Sequence, residues 1–367
     1  MSDSQLPNQN PDVLKITLDD LDAVTLSSPV ALTPTSTTTG PTVYGSVNDM
    51  PDDPALPEEK GSIWLQGWLY LGVAGLVGAM LGWGICEPAF VDNGSGAHRW
   101  GNIWLLPVLV ALMCIAFGVA ESVVERSLRK GLTRTAIALP LGVVFGFVFY
   151  TIANVIFSIG QGILAASGVQ TTHNPAFWIV RGIAWASFGV AGGIVYGIIG
   201  KSGRKVGYGA LGGAIGALLG GTLFDPIAFL MEKHVAHGVS AHSAAPSRAI
   251  GFALLGMATG IAMGLVESAL KDRWLYVTSG PLAGKQFILY KPTTTLGSSQ
   301  QADIYLFKDA EILPAHATLQ LKGSRVHVVP TGAVYVGGAS IRGTYVLQSG
   351  ANLRIGRYGF RYQEKQR

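Results

Sequence analysis

Cysteine is almost missing from this chain: 367 residues hold two, Cys86 and Cys114, each within or at the end of an apolar run. Two thiols so placed match neither a disulfide framework nor a metal or redox spacing. Charge is also scarce, at 13% of residues against 49% hydrophobic, and that charge is unevenly distributed. The net charge of +4 does not point to nucleic acid, because much of the basic excess flanks apolar segments, where membrane orientation accounts for it. No apolar leader opens the chain, since about sixty largely polar residues precede the first apolar run near Ile63, so the first helix is expected to direct insertion.

Catalytic signatures are lacking as well. No Ser, His and Asp order, nucleophile elbow or pair of carboxylates at a working spacing stands out, so no enzymatic activity, cofactor or metal is expected. His234, His237 and His242 share one loop with Glu232, but the Gly and Ser around them favour solvated imidazoles over fixed ligands. Gly207-Tyr208-Gly209-Ala210-Leu211-Gly212 has dinucleotide-loop spacing without a preceding strand, and Gly200-Lys201-Ser202 has Val195 where a phosphate loop needs its first Gly.

What the chain does have is length in apolar segments. Six of them, near residues 62–86, 103–121, 135–159, 177–199, 206–230 and 249–270, each reach the roughly 20 residues that cross about 30 Å of hydrocarbon. Arg126, Arg129, Lys130 and Arg134 fall between the second and third, and Lys201, Arg204 and Lys205 between the fourth and fifth, while the opposite loops are poor in cations. The positive-inside rule then predicts a multi-pass cell-membrane protein with both termini in the cytoplasm and the lipid bilayer as its first partner. Residues 1–60, with Thr33, Thr35, Thr37, Thr38 and Thr39 among Pro and Ser, bury too little to order themselves and are expected to form a disordered tail. Its apolar patch Val13–Leu18 reads as a linker fragment, with a short docking motif as the alternative.

The six segments also repeat. Gly75, Gly142 and Gly213 each stand twelve residues before a polar residue, Glu87, Asn154 and Asp225, and Gly118-Val119-Ala120-Glu121-Ser122 parallels Gly264-Leu265-Val266-Glu267-Ser268. Three copies of a two-helix hairpin are expected, held by small residues four apart that let backbones approach, with Gly75, Gly142 and Gly213 as candidate contact positions. Glu87 and Asp225 precede Pro and are expected to mark helix ends at water depth. Glu121 and Glu267 are expected in surface ion pairs near Arg126 and Lys271.

From Trp274 onward, short alternating runs separated by turns indicate an all-β sandwich of about ninety residues. Five features in order carry a resemblance: Gly280 with Gly284-Lys285, Thr295-Leu296-Gly297, Ala302-Asp303-Ile304-Tyr305-Leu306, His316-Ala317-Thr318-Leu319 and Leu353-Arg354-Ile355-Gly356. Over residues 274–364 the sequence resembles a divergent forkhead-associated (FHA) domain. That resemblance implies a module that grips phosphothreonine peptides at one end of a sandwich, through Gly297, Ser298, Ser299, Leu313, His316, Gly337 and Gly338. The family's Arg is replaced by Ser298, its Ser by Leu313, and its Asn-Gly by nothing clearer than Val336-Gly337-Gly338, while His316 remains, with a loop-bracing role implied. Loss of the guanidinium fork weighs against phosphate reading.

The fold class expected is therefore a six-helix transmembrane bundle over 61–270 followed by an FHA-like β-sandwich over 271–367. The function expected is a membrane-anchored adaptor whose partner is a cytoplasmic protein or peptide, phosphorylated or not, including its own N-terminal tail. The alternative is a transporter or channel with a regulatory FHA-like domain, which would need a polar path through the middle of the helices.

Overall fold

The computed structural model describes residues 56–91, 100–169, 174–235 and 245–365; the expected tail up to residue 55 and His237 and His242 lie outside them. Six long helices come first: α1 Gly67–Cys86, α2 Trp100–Val124, α3 Leu128–Ala166, α4 Pro175–Ile199, α5 Gly203–Val235 and α6 Ala245–Leu270. All six are long and apolar enough to cross a membrane. Each lies against its neighbours in sequence, and α6 closes back on α1, so the helices form a ring. Its middle is filled by Leu71, Leu109, Met113, Phe117, Phe188, Leu255 and Met263, at most 1% exposed.

The third helix departs most from expectation. The segment predicted for 135–159 is a helix of 39 residues, about 58 Å at 1.5 Å per residue and nearly twice the hydrocarbon thickness. It starts early because Ser127 caps it, its hydroxyl accepting from the Lys130 N–H at 3.3 Å. Arg129, Lys130 and Arg134, expected in a loop, therefore sit on the first turns of α3.

Proline also acts differently at the two acidic positions. Glu87 ends α1 as expected, followed by a single 3₁₀ turn through Ala89. Asp225 does not end its helix: α5 continues through Pro226 to Val235. A proline forfeits one hydrogen bond, a loss that neighbouring helices in a bundle offset. Arg181 of α4 meets the Asp225 carboxylate at 2.9 Å and is ringed by Phe157, Phe177, Trp185 and Phe224. Glu87 is held similarly by Arg248 of α6, at 2.5 Å, beneath the Phe90 ring.

Close approach explains three glycines. A Cβ on Gly75 would collide with the Gly256 carbonyl of α6, one on Gly213 with the Gly189 carbonyl of α4, and one on Gly142 would sit 2.8 Å from the Ala111 carbonyl of α2.

Only two residues separate α6 from the first strand. Eleven strands follow, β1 Arg273–Ser279, β2 Gln286–Ile288, β3 Thr293–Gly297, β4 Ile304–Tyr305, β5 Ala317–Lys322, β6 Arg325–Pro330, β7 Val334–Val336, β8 Ala339–Ile341, β9 Tyr345–Leu347, β10 Asn352–Ile355 and β11 Tyr358–Glu364. They make two sheets, ordered β2-β1-β11-β10-β7-β8 and β4-β3-β5-β6-β9, antiparallel except where β4 runs parallel to β3. Alternation along β5 and β6 turns Leu319, Val326 and Val328 inward to meet Leu275, Val277, Leu353, Ile355 and Phe360 from the facing sheet. Helical block and sandwich form one compact unit. The last residues of the expected disordered stretch join it, with the Glu59 N–H donating to the Thr278 carbonyl at 2.8 Å and Arg361 pairing with Glu58 at 3.1 Å.

Candidate functional site

Two places concentrate polar side chains: a loop corner of the sandwich, and the seam where the sandwich meets the helices.

At the corner, strand β3 ends on Gly297, whose backbone lies so close to the Pro314 carbonyl that a side chain would collide with it. The next residue turns inward: the Ser298 hydroxyl donates to the Ile312 carbonyl at 2.6 Å, and its N–H donates to the Leu313 carbonyl at 3.0 Å. The Ser299 hydroxyl accepts from the Gln301 N–H at 3.1 Å. His316, only 3% exposed, accepts from the Leu313 N–H through Nδ1 at 3.1 Å, so its proton sits on Nε2 and is shared with the Ala333 carbonyl at 2.9 Å. Its own carbonyl accepts from the N–H groups of Thr331 and Gly332 at 2.8 and 2.9 Å. One residue thus ties the loop before β5 to the loop between β6 and β7. Chemically, the corner offers fixed backbone, a committed Ser hydroxyl and an apolar tip, since Leu313 is 44% exposed.

Gly337 and Gly338 are not part of this corner. They form the tight turn between β7 and β8, both at positive φ (61° and 89°), at the end of β7 away from Ala333. The stretch that does reach His316 is Thr331-Gly332-Ala333, where Gly332 lies directly against the imidazole ring. Pro330-Thr331-Gly332 is itself a turn signal, and would have been the better choice from sequence.

The seam is charged, and its ion pairs are buried. Lys285, in the turn before β2, reaches Glu125 just past α2 at 3.2 Å, and both side chains are about 5% exposed. Lys130 of α3 takes the other Glu125 oxygen at 3.0 Å and donates to the Asp303 carbonyl at 3.1 Å. Burial pushes the Glu125 carboxyl up, but Lys285 and then Lys130 outweigh it and hold its pKa below the ordinary 4.5. Asp303 is held low in the same way: burial raises it, while Lys291 at 2.6 Å and the Thr295 N–H and hydroxyl, both at 3.0 Å, lower it further.

One layer deeper, Glu121 is paired with Lys205 of α5 and, at 3.3 Å, with Arg134 of α3. The Tyr196 hydroxyl lies between Glu121 at 2.9 Å and Glu267 at 3.0 Å, and Tyr290 from the sandwich donates to the other Glu267 oxygen at 2.7 Å. Burial, and after it the Glu267 charge, raises the Tyr290 pKa far above its usual value, so the phenol keeps its proton. The two glutamates expected in surface pairs are therefore largely buried, with Lys205, Arg134 and tyrosines as partners in place of Arg126 and Lys271. The reason is tertiary: the sandwich covers the helix ends and excludes the water a surface pair would have had. Among the described residues no cluster of His, Cys, Asp and Glu could hold a metal ion.

No family model matches the chain. The chain is 36% identical over 87 residues to the oxoglutarate dehydrogenase inhibitor of Corynebacterium efficiens, a match covering 23% of this chain and 60% of that protein. It is 34% identical over 93 residues to the glycogen accumulation regulator GarA of Mycolicibacterium smegmatis, covering 23% of this chain and 54% of that one. The chain thus spans little more than half the length of these curated relatives, and the matched lengths are close to that of the sandwich. Similar solved structures are FHA domains. One is the FHA domain of the CT664 protein from Chlamydia trachomatis, at 25% identity and a TM-score of 0.25, covering 26% of this chain and all of that one. Another, from a study of phosphothreonine-dependent FHA domain interactions, has 18% identity and a TM-score of 0.24, covering 26% of this chain and 99% of that one.

Sequence reasoning missed the seam. Glu125 with Lys130, Tyr196 with Lys205, and Lys285 with Tyr290 come from three stretches far apart along the chain, and each residue alone looks like an ordinary flank residue. The available signal was Lys285 between Gly284 and an alternating strand, an interior strand-side position where a cation needs a partner.

Proposed function

We propose that this protein is a non-enzymatic membrane adaptor, in which six helices set in a bilayer hold an FHA-like module on the cytoplasmic side, together with both termini. The observation that carries this reading is a pairing of parts. Helices long enough to span a membrane run, with two residues between, into a sandwich, and 87–93 residues of the chain, close to the sandwich in length, are 34–36% identical to an inhibitor and a regulator. The helical block is three copies of a two-helix hairpin. Its support is the equivalence of the Gly75–Gly256 and Gly213–Gly189 contacts and of the Glu87–Arg248 and Asp225–Arg181 pairs. An anchor fits these helices better than a conduit, because their middle is filled by fully buried apolar side chains. Asn154 is exposed and donates to the Tyr150 carbonyl of its own helix at 2.9 Å.

The module docks a protein or peptide with little dependence on phosphate. Ser298 stands where the resemblance expects a guanidinium, and its hydroxyl is already committed to Ile312. Exposed Leu313 supplies an apolar contact, with His316 fixing its loop and Gly297, Ser298 and Ser299 forming the neighbouring wall. The test uses the full chain in detergent with cytosolic proteins and with peptides of its own tail, each with and without phosphate on Thr33 to Thr39. Binding within about twofold for both forms, lost in Leu313→Asp, is the expected result. A phosphate-dependent gain of tenfold or more, or binding untouched by Leu313→Asp, would reject it. A C-terminal reporter found outside the cell would reject the orientation.

A further inference from the structure

A cleft of about 420 Å³ opens along the seam, and its lining is unbalanced in charge: seven Lys and Arg against four Asp and Glu. All four carboxylates are engaged. Glu121 is held by Lys205 and Arg134, Glu125 by Lys130 and Lys285, Asp303 by Lys291, and Glu267 by the hydroxyls of Tyr196 and Tyr290. The surplus falls on Arg129 and Lys201, both exposed at the rim and without a carboxylate partner among the described residues. The neutral donors Thr133, Gln300 and Gln301 also face the cleft.

The apolar part of the lining is shared: the ends of the long helices give Trp68 of α1, Ile137 of α3 and Ile199 of α4, and the sandwich gives Phe287, Leu289 and Ile304. Beside it, the first turns of α3 present Leu128 at 84% exposure and Leu132 at 75%, and Trp64 stands 66% exposed before α1. Leu128 and Leu132 stand four apart on one face of α3, and grouped exposed apolar side chains mark a contact surface. At the level where spanning helices leave hydrocarbon, they and a tryptophan belong in the interfacial layer.

We infer that this cleft holds the phosphate of an anionic lipid headgroup, with Arg129 and Lys201 as its principal cations and the apolar lining beside its glycerol and chains. The inference rests on the membrane reading of the six helices. Basic pockets between helix ends are the physical form such headgroup sites take, and a volume of this size is of the order that small-ligand pockets have. A phosphopeptide is the less favoured occupant, because it would leave exposed Trp64, Leu128 and Leu132 beside the cleft without an apolar partner.

The experiment uses the full chain in a neutral detergent, with ligand retention followed by native mass spectrometry and by tryptophan fluorescence. The probes are phosphatidylglycerol, phosphatidylcholine, inorganic phosphate and a phosphothreonine peptide. Phosphatidylglycerol is expected to bind at least tenfold more tightly than phosphatidylcholine, and Arg129→Glu with Lys201→Glu to remove that preference. Arg126→Glu, an exposed cation outside the cleft, is expected to leave it intact. If the double reversal fails to fold, Arg129→Gln with Lys201→Gln replaces it, with a threefold or greater loss expected. Equal binding of the two lipids, an unaffected double variant, or an equal loss in Arg126→Glu would overturn the inference. So would inorganic phosphate binding as tightly as the lipid, and tighter binding of the phosphopeptide lost in the same variants would assign the cleft to peptide instead. Partner capture through Leu313 is read without added lipid, so either result leaves the other standing.

Discussion

The loop corner at His316 and the seam at Glu125 are built from opposite chemistry on one sandwich. At the corner, nearly every polar atom is satisfied by backbone: Ser298 by Ile312, His316 by Leu313 and Ala333. At the seam, polar atoms are satisfied by charged side chains from another part of the chain: Lys285 by Glu125, Tyr290 by Glu267, the Asp303 carbonyl by Lys130. The corner depends on local geometry and would keep its shape if the helices were removed, whereas each seam contact needs both halves. A buried ion pair adds little over an apolar pair of the same shape, but an unpaired buried charge is costly, so the seam enforces one docking pose more than it adds stability.

Breaking the seam should have the largest effect. Glu125→Ala leaves Lys285 and Lys130 without their carboxylate, and a loss of about 3–5 kcal/mol is expected, read as a fall in the unfolding midpoint of the detergent-solubilised chain. Replacing all three together, Glu125→Leu with Lys285→Met and Lys130→Met, should recover most of it; no recovery would mean that the charges themselves, beyond mutual neutralisation, hold the halves together. Next comes an effect in neither region. Gly213→Leu drives a side chain into the Gly189 backbone and should cost about 1–3 kcal/mol or more, with lowered yield; an unchanged melting profile would show that α4 and α5 separate easily.

At the corner, His316→Ala strands the Leu313 N–H and the Ala333 carbonyl, for an expected loss of about 1–3 kcal/mol with helical content unchanged. Ser298→Ala removes one neutral bond and should cost about 1 kcal/mol while leaving binding of any phosphorylated ligand as it was. Acid should have the mildest effect. The Glu125 carboxyl is depressed in the folded chain, so its stabilisation is complete above the ordinary value of 4.5 and is lost only as pH falls through the lower folded value. Thermal midpoints should therefore hold between pH 7 and 5 and decline below pH 4.5, with Glu125→Gln flattening that decline; a decline setting in above pH 5 would contradict the depressed value.

Much of the architecture was legible in residue order, because it rests on periodicity and length. Six apolar runs became six long helices, and alternation after Trp274 became a two-sheet sandwich, since burial period and segment length are local properties. The end of α1 at Glu87 and the junction at Leu270 followed from proline and from charge. Within the sandwich, His316 was recognisable beside Ala317-Thr318-Leu319, yet the loop that meets it was misplaced onto Gly337 and Gly338, because turn residues show where a chain bends and not what it bends toward.

What the order of residues could not convey was which distant groups share a dielectric environment. Glu121 and Glu267 read as surface charges because each lies at the end of an apolar helix, where water is the default neighbour. Asp225 read as a helix stop because Pro226 follows it, yet α5 runs on, with that carboxylate paired to Arg181 of α4 amid aromatics from α3, α4 and α5. The sequence by itself determined the number, length and polarity of the elements. Tertiary structure alone decided that the sandwich covers the helix ends, turning scattered flank residues into a buried ionic layer beside an open cleft, because removal of water depends on what lies opposite in space.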